Sequence, residues 1–66
     1  MQITVNGTPT DIANDLSMAG LIEQLDLTGK RLAVEVNQEL VPRSQFDSHR
    51  LTANDRVEII HAVGGG

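Results

Sequence analysis

Apolar and polar residues alternate along the first twelve positions of the chain, which read MQITVNGTPTDI. Alternation with a period of two is typical of a β-strand with one buried face. Asn6-Gly7 interrupts the run, and this pair favours the two-residue type I′ turn of a β-hairpin. Because Pro9 has no N–H to donate, we expect the second strand to lie at a sheet edge. The hairpin register pairs three residues of each strand: Met1 with Ile12, Ile3 with Thr10 and Val5 with Thr8.

The period changes to that of a helix in the segment SMAGLIEQL. Ser17 is placed to cap the helix N-terminus, and Gly29 is a possible stop shortly after the last turn. Gly20, inside the helix, is expected to let the helix approach the sheet closely. Apolar side chains recur at the i, i+3, i+4 and i+7 positions, which are Met18, Leu21, Ile22 and Leu25.

Strand alternation returns in LAVEV, residues 32–36. A turn at Asn37-Gln38 leads to a short run, Leu40-Val41, which Pro42 ends. The connection over residues 43–50 is polar apart from Phe46, which we expect to anchor it. A last strand is predicted from Arg56 to about His61.

The elements therefore follow the order strand, strand, helix, strand, short strand, strand, without repeats or internal linkers. This order predicts a single α+β domain over residues 1–66, with a mixed sheet and one helix packed across it. It is typical of the β-grasp, or ubiquitin-like, fold, in which the first and last strands are parallel neighbours. We expect the helix stripe to cover six residues of the sheet: Ile3, Val5, Val34, Val36, Val57 and Ile59.

Composition excludes several functions. The net charge is −4 and the pI is near 4.8, whereas nucleic-acid binding requires clustered Lys and Arg. The chain has no cysteine, hence no thiolate ligand or thiol nucleophile. His49 and His61 are not spaced as metal ligands with carboxylates, so no metal site is predicted. Since no membrane span or signal peptide is evident, we expect a soluble cytoplasmic protein without a membrane partner.

Two features of the predicted sheet could serve a partner. Strand parity places Ile60 on the face opposite Val57 and Ile59, together with Ala33 and Glu58, where an apolar side chain is exposed. Ile60 is either an isolated exposed residue or part of a contact patch that continues into Ala62 and Val63. The carboxylates Glu35, Glu39 and Glu58 form either a solvated acidic face or a docking surface for a basic partner.

The chain ends in HAVGGG. Three consecutive glycines do not order themselves, so we expect a mobile tail over residues 63–66. The tail is either a disordered end or an arm with a function. Such an arm, lacking Cβ atoms, could pass through a narrow channel and present the ionised α-carboxylate of Gly66 to the α-phosphate of ATP.

Several segments together resemble one known family. MQITVNG, LIEQLDL, LAVEVNQELVPRSQF and NDRVEIIHAVGGG, which extend over nearly the whole chain, resemble the ThiS family of sulfur carrier proteins of thiamine biosynthesis. VNQELVPR followed by DRVEIIHAVGGG is the most specific part. Many members of that family end in two glycines, so Gly65 and Gly66 correspond to the family motif and Gly64 is additional slack.

The resemblance implies a carrier that is not itself an enzyme and binds no cofactor. In that family a ThiF-like adenylating enzyme uses ATP and Mg²⁺ to adenylate the terminal glycine, here Gly66. A persulfide derived from a cysteine desulfurase then displaces AMP and leaves a C-terminal thiocarboxylate, whose sulfur thiazole synthase accepts. The terminal glycine is expected to need no trimming.

Two alternatives remain open. The small subunit of molybdopterin synthase shares the Gly-Gly end and the acyl chemistry, although it usually is longer and has a proline before its glycines. A ubiquitin-like interaction module would bind through its sheet face and perform no acyl chemistry. For such a module the C-terminal glycine would be dispensable.

Overall fold

The computed structural model describes residues 1–61. Within this range the chain forms five strands and one α-helix, joined by short turns and one longer connection. The elements are β1 (Gln2–Val5), β2 (Thr8–Asp11), α1 (Met18–Gln24), β3 (Leu32–Val36), β4 (Glu39–Val41), a single 3₁₀ turn (Arg43–Gln45) and β5 (Arg56–His61). The helix has seven residues, and no helix in the described part of the chain is long and apolar enough to cross a membrane.

The five strands form one mixed sheet in the order β2-β1-β5-β3-β4. The first and last strands are parallel, with Thr4 beside Arg56 and Val5 beside Val57, while the other pairs are antiparallel. The prediction of an α+β mixed sheet with one helix is confirmed, as is the edge position of β2. Strand β5 lies at the centre, paired on both sides.

Both hairpins turn on two residues with left-handed backbone. In the first, φ is 50° at Asn6 and 81° at Gly7, and in the second it is 51° at Asn37 and 71° at Gln38. Positive φ at both central positions is the signature of a type I′ turn, whose twist matches that of the flanking strands. The predicted register is confirmed by the pairs Ile3–Thr10 and Val5–Thr8, and Met1 and Ile12 exchange hydrogen bonds of 2.7 and 2.9 Å.

The helix begins where the sequence predicted, because three of its first N–H groups find acceptors outside the helix. Met18 N–H donates to His49 O (2.9 Å), Ala19 N–H to Phe46 O (2.8 Å) and Gly20 N–H to the Ser17 hydroxyl (3.0 Å). Two of these acceptors are carbonyls of the connection that follows β4. That connection therefore supplies caps to a helix that lies far away in the sequence.

The helix ends earlier than the predicted stop at Gly29. Its last residue is Gln24, and Asp26 adopts the left-handed conformation with φ of 60°. Asp26 N–H donates to Glu23 O (3.0 Å) and Leu27 N–H to Ile22 O (2.9 Å), which are the two bonds of a Schellman motif. Gly29, with φ of 82°, belongs to the next turn. The non-glycine residue Asp26 thus terminates the helix.

The core lies between α1 and one face of the sheet. Leu51 in the connection before β5 is only 1% exposed, so it anchors that segment more deeply than the half-buried Phe46 that the sequence predicted. Val5 is only partly buried, but it packs against the core as expected. The buried apolar residues are Ile3, Ile12, Met18, Leu21, Ile22, Val34, Val36, Val41, Leu51, Val57 and Ile59.

Candidate functional site

The C-terminal end of β5 is the place from which the predicted functional tail departs. His61, the last residue of β5, pairs with Leu32 at the start of β3. The tail therefore follows a central strand that pairs with β3 over residues 57–61 and with β1 at Arg56 and Val57. The predicted tail and patch residues Ala62, Val63, Gly64, Gly65 and Gly66 lie outside the described residues, as does the predicted mobility from Val63 onward.

The side chain of Asn6 holds the end of β5 on the side where β1 has turned away. Asn6 Oδ1 accepts from Ile59 N–H at 2.8 Å, and Asn6 Nδ2 donates to Ile59 O at 3.2 Å. One carboxamide thus makes both hydrogen bonds that a continued β1 backbone would have made. The residue that turns the first hairpin also fixes the strand that leads into the tail.

A second polar cluster holds the beginning of β5. Asn37 Oδ1 accepts from Arg56 N–H at 2.9 Å, and its Nδ2 donates to Asp55 Oδ1 at 3.0 Å. Asp55, only 7% exposed, also accepts from the backbone N–H and the hydroxyl of Thr52, at 2.8 and 3.0 Å. Since these bonds occupy the buried carboxylate, its role is to hold the β3–β4 turn against β5.

Ile60 lies on the outer face of the sheet, which is the face away from α1. Its side chain is 59% exposed, and its cross-strand neighbour Ala33 is exposed as well. Glu58 shares this face, whereas Val57 and Ile59 are buried. The exposure predicted from strand parity is confirmed. The binding role of Ile60 stays a prediction.

The structure brings together two of the three predicted carboxylates. Glu35 and Glu58 are directly opposite each other on β3 and β5, on the outer face. Glu39 pairs with Val36, whose side chain points into the core, so Glu39 does not share that face. Leu40, opposite Glu35, is 67% exposed and extends the outer face across β4. Leu40 and Val41 were expected to form one short run, whereas the alternation of strand side chains within ELV places Leu40 on the exposed face and Val41 in the core.

We call the five residues of this region the outer-face patch: Ala33, Glu35, Leu40, Glu58 and Ile60. It lies on the three strands β4, β3 and β5. Its residue nearest the C-terminus, Ile60, is directly followed by His61, the last described residue. Its centre is acidic and its two flanks are apolar. Such a combination is suited to a protein partner, since apolar contacts supply affinity and charges supply selectivity.

The remaining chemistry of the described residues is modest. No group of three or more His, Asp or Glu side chains within residues 1–61 could hold a metal ion. His49 is half-buried, and its backbone takes part in capping α1. A groove of about 410 Å³ beside α1 is lined by both apolar and polar residues. Its charged residues are two acids and two bases, which give it no preference for an ion of either sign: Glu23, Asp47, Lys30 and Arg43.

Comparison with known proteins gives consistent matches along the whole chain. A protein-family model described as the ThiS family matches residues 3–66. The uncharacterized protein ycf40 of Porphyra purpurea is 39% identical over 66 residues, which make up 100% of this chain and 93% of that protein. The sulfur carrier protein ThiS of Escherichia coli strain K12 is 32% identical, with 100% of both chains covered.

A solved structure matches the fold over the same extent. The crystal structure of the thiamine biosynthesis protein ThiS from Geobacter metallireducens superposes with a TM-score of 0.86 and 33% identity, covering 100% of both chains. This match confirms the β-grasp prediction. A segment similar to this chain also occurs within a larger protein, the thiazole synthase of Magnetococcus marinus. There the identity is 32% over 66 residues, which are 100% of this chain and 20% of that protein.

Proposed function

The chain belongs to the ThiS family of sulfur carrier proteins of thiamine biosynthesis, and we propose that it carries sulfur as a thiocarboxylate on Gly66. The observation that supports this most directly is the family match over residues 3–66, which includes the glycine tail. The position of β5 adds a physical reason. The tail follows a central strand whose last residue still pairs with β3, so it starts from a fixed point and only the tail itself has to be guided into a partner's active site.

The chemistry follows from the terminal carboxylate. One carboxylate oxygen attacks the α-phosphorus of ATP, the bond to pyrophosphate breaks, and an acyl adenylate forms. The terminal sulfur of a persulfide then attacks the acyl carbon and AMP leaves with the electron pair of the C–O bond. A second thiol cleaves the resulting acyl disulfide, being oxidised to a disulfide while the thiocarboxylate is released. ATP and Mg²⁺ bind to the adenylating enzyme in this scheme, and the carrier acts as its cosubstrate.

The composition of the chain suits that chemistry. An acyl adenylate reacts with any accessible thiol, and the 66 residues contain no cysteine that could compete with the persulfide. Glycine residues have no Cβ to obstruct the attacking sulfur or to widen the arm. Ordering the tail in an active site costs roughly 1 to 2 kcal/mol per residue, so the partner's contacts with the tail and with the sheet must offset that cost.

Three partners complete the proposal, and we place them with the carrier in the cytoplasm. A ThiF-like enzyme adenylates Gly66, a cysteine desulfurase supplies the persulfide, and thiazole synthase receives the sulfur. The partnership with thiazole synthase is supported by the thiazole synthase that contains a segment similar to this chain. Ile60, with Ala62 and Val63 leading into the tail, is proposed to contact the adenylating enzyme and thiazole synthase.

Truncation of the tail tests the assignment of Gly66. The carrier is incubated with the adenylating enzyme, ATP–Mg²⁺ and a persulfide donor, and sulfur loading is followed by intact mass. Deleting Gly65 and Gly66 together should abolish loading. Deleting Gly66 alone leaves a glycine carboxylate on a shorter arm and should reduce loading less.

The melting temperature serves as the control for folding in this experiment. The core residues and strand pairs described here all precede residue 62, so both truncated proteins should melt close to the full chain. If the doubly truncated protein, which ends at Gly64, still acquires sulfur as the full chain does, Gly65 and Gly66 are not required for loading and the proposal fails. The interaction-module alternative would be favoured if the full chain acquired no sulfur at all, whereas the family match favours the thiamine carrier over the small subunit of molybdopterin synthase.

A further inference from the structure

The centre of the outer-face patch contains a pair of like charges. Glu35 on β3 and Glu58 on β5 are directly opposite partners in an antiparallel ladder, and Glu58 is exposed while Glu35 is half-exposed. Directly opposite side chains have Cβ atoms about 5 Å apart, and like charges in that arrangement destabilise the sheet. The pair therefore opposes the stability of the free protein.

The chain's own cations are placed unevenly around this pair. Arg56 precedes Glu58 by two residues on β5 and lines a shallow depression with it, so it can partly compensate Glu58. Arg43 and Arg50 are engaged elsewhere, donating to Lys30 O (3.1 Å) and Asp15 O (3.3 Å). The neighbour of Glu35 on its other side is Leu40, an apolar residue.

The two largest exposed apolar side chains of residues 1–61 flank the acidic pair. Leu40 is 67% exposed and directly opposite Glu35, whereas Ile60 is 59% exposed and two residues after Glu58. A surface docked on both would exclude water from the space between them. Charges in such a desolvated space interact more strongly than they do in the free protein.

We propose that Glu35 and Glu58 together receive a cationic side chain, preferably an arginine, from the surface of thiazole synthase, with Leu40 and Ile60 in apolar contact around it. A guanidinium is planar and carries five N–H donors, so it can bond at once to two carboxylates whose Cβ atoms are about 5 Å apart. This inference rests on the proposed function, because it concerns the docking of the carrier on thiazole synthase.

The proposal predicts effects of opposite sign on stability and on binding. Removing one carboxylate relieves repulsion in the free carrier and also removes a ligand of the incoming cation. Replacing a residue with a purely structural role would lower the stability of the free carrier. Replacing an ordinary exposed acid would change neither stability nor binding. Higher stability together with weaker binding therefore distinguishes a docking role from a structural role and from that of an ordinary exposed acid.

The experiment compares Glu35→Gln and Glu58→Gln with the control Glu39→Gln. The control removes the same charge from an exposed carboxylate that lies off the outer-face patch, since its partner is Val36. Each variant is melted alone and titrated against thiazole synthase by calorimetry at low and moderate salt. Sulfur loading of Gly66 is measured in parallel, so that a failure of the proposed function is visible separately.

We expect Glu35→Gln to raise the melting temperature by about 1 to 4 °C, with a smaller rise for Glu58→Gln because Arg56 neighbours it. Both should weaken binding roughly tenfold and reduce its salt dependence. Glu39→Gln should bind as the wild type does. The inference is overturned if the two patch variants bind normally, if Glu39→Gln weakens binding equally, or if the patch variants melt lower. Absence of both loading and binding in the wild type would instead contradict the proposed function.

Discussion

The Asn6 carboxamide gives the sharpest test of how the end of β5 is held. Replacing Asn6 by glycine keeps a residue that tolerates its φ of 50° but removes the hydrogen bonds of 2.8 and 3.2 Å to Ile59. A typical intramolecular hydrogen bond contributes about 0.5 to 1.5 kcal/mol net. Asn6 is exposed, so water can reach part of the freed peptide group. We therefore expect Asn6→Gly to lower the free energy of unfolding by about 1 to 2 kcal/mol.

Thermal melting and amide hydrogen exchange measure the two parts of this prediction. For a domain of this size the loss corresponds to a melting temperature lower by roughly 4 to 16 °C. Exchange should accelerate most at Ile59 N–H, which loses its acceptor, while Val34 N–H in the neighbouring strand should change only with global stability.

A matched control isolates the backbone effect of glycine. Gln38 also has positive φ, at 71°, in the second two-residue turn. Gln38→Gly should therefore leave stability unchanged or raise it slightly, because glycine relieves the left-handed strain. If Asn6→Gly melts like the wild type and its Ile59 N–H exchanges at the wild-type rate, the carboxamide does not hold β5 and the reasoning is refuted.

Three further predictions concern other parts of the chain. Asp26→Gly places glycine at the left-handed end of α1 and should stabilise the fold by about 0.5 to 1 kcal/mol in urea titrations; a lower stability would contradict the Schellman assignment. Leu51→Ala empties a site that is 1% exposed and should cost about 2 to 5 kcal/mol, read from the same titrations; a loss below 1 kcal/mol would show that the connection is not anchored there. Ile60→Asp should weaken binding to the adenylating enzyme by about 1 to 3 kcal/mol in calorimetry with an unchanged melting temperature, whereas Ala13→Asp, an exposed charge off the sheet, should bind normally.

Local pattern was enough to predict much of this fold. Asn6-Gly7 predicted both a turn and its register, because a two-residue turn leaves only one way to pair strands that must share a buried face. The same parity placed Ile60 on the exposed side of β5 without knowledge of its neighbours. The parallel pairing of the first and last strands was expected because the order of elements is typical of the β-grasp, and the pairing of β1 with β5 confirms it.

Features that depend on contacts distant in sequence could not be predicted in this way. Asn6 and Ile59 are 53 residues apart, so nothing in the turn signal indicates that the side chain bonds to the last strand. Gly20 was expected to allow a close approach of helix and sheet, but a Cβ there would meet Leu16 Cδ1 at 2.6 Å, in the segment before the helix. Gly29 was a possible stop for the helix, yet Asp26 ends it, because a short polar side chain also tolerates the left-handed region.

The candidate site was predictable to different degrees in its two parts. The carboxylates could be assigned to strands, but only the register shows that Glu35 faces Glu58 and that Glu39 does not belong with them. The tail was identified by its three glycines and by the chemistry of the terminal carboxylate. Its role as the sulfur-carrying segment is proposed from the match to the ThiS family.

Locating the sulfur by tandem mass spectrometry tests the central claim most directly. The full chain is incubated with the adenylating enzyme, ATP–Mg²⁺ and a persulfide donor, and the C-terminal peptide is fragmented. We predict that one terminal oxygen is replaced by sulfur and that every fragment containing the change includes Gly66. Sulfur on an internal residue, or a C-terminal peptide that keeps both oxygens after ATP has been consumed, would contradict the account.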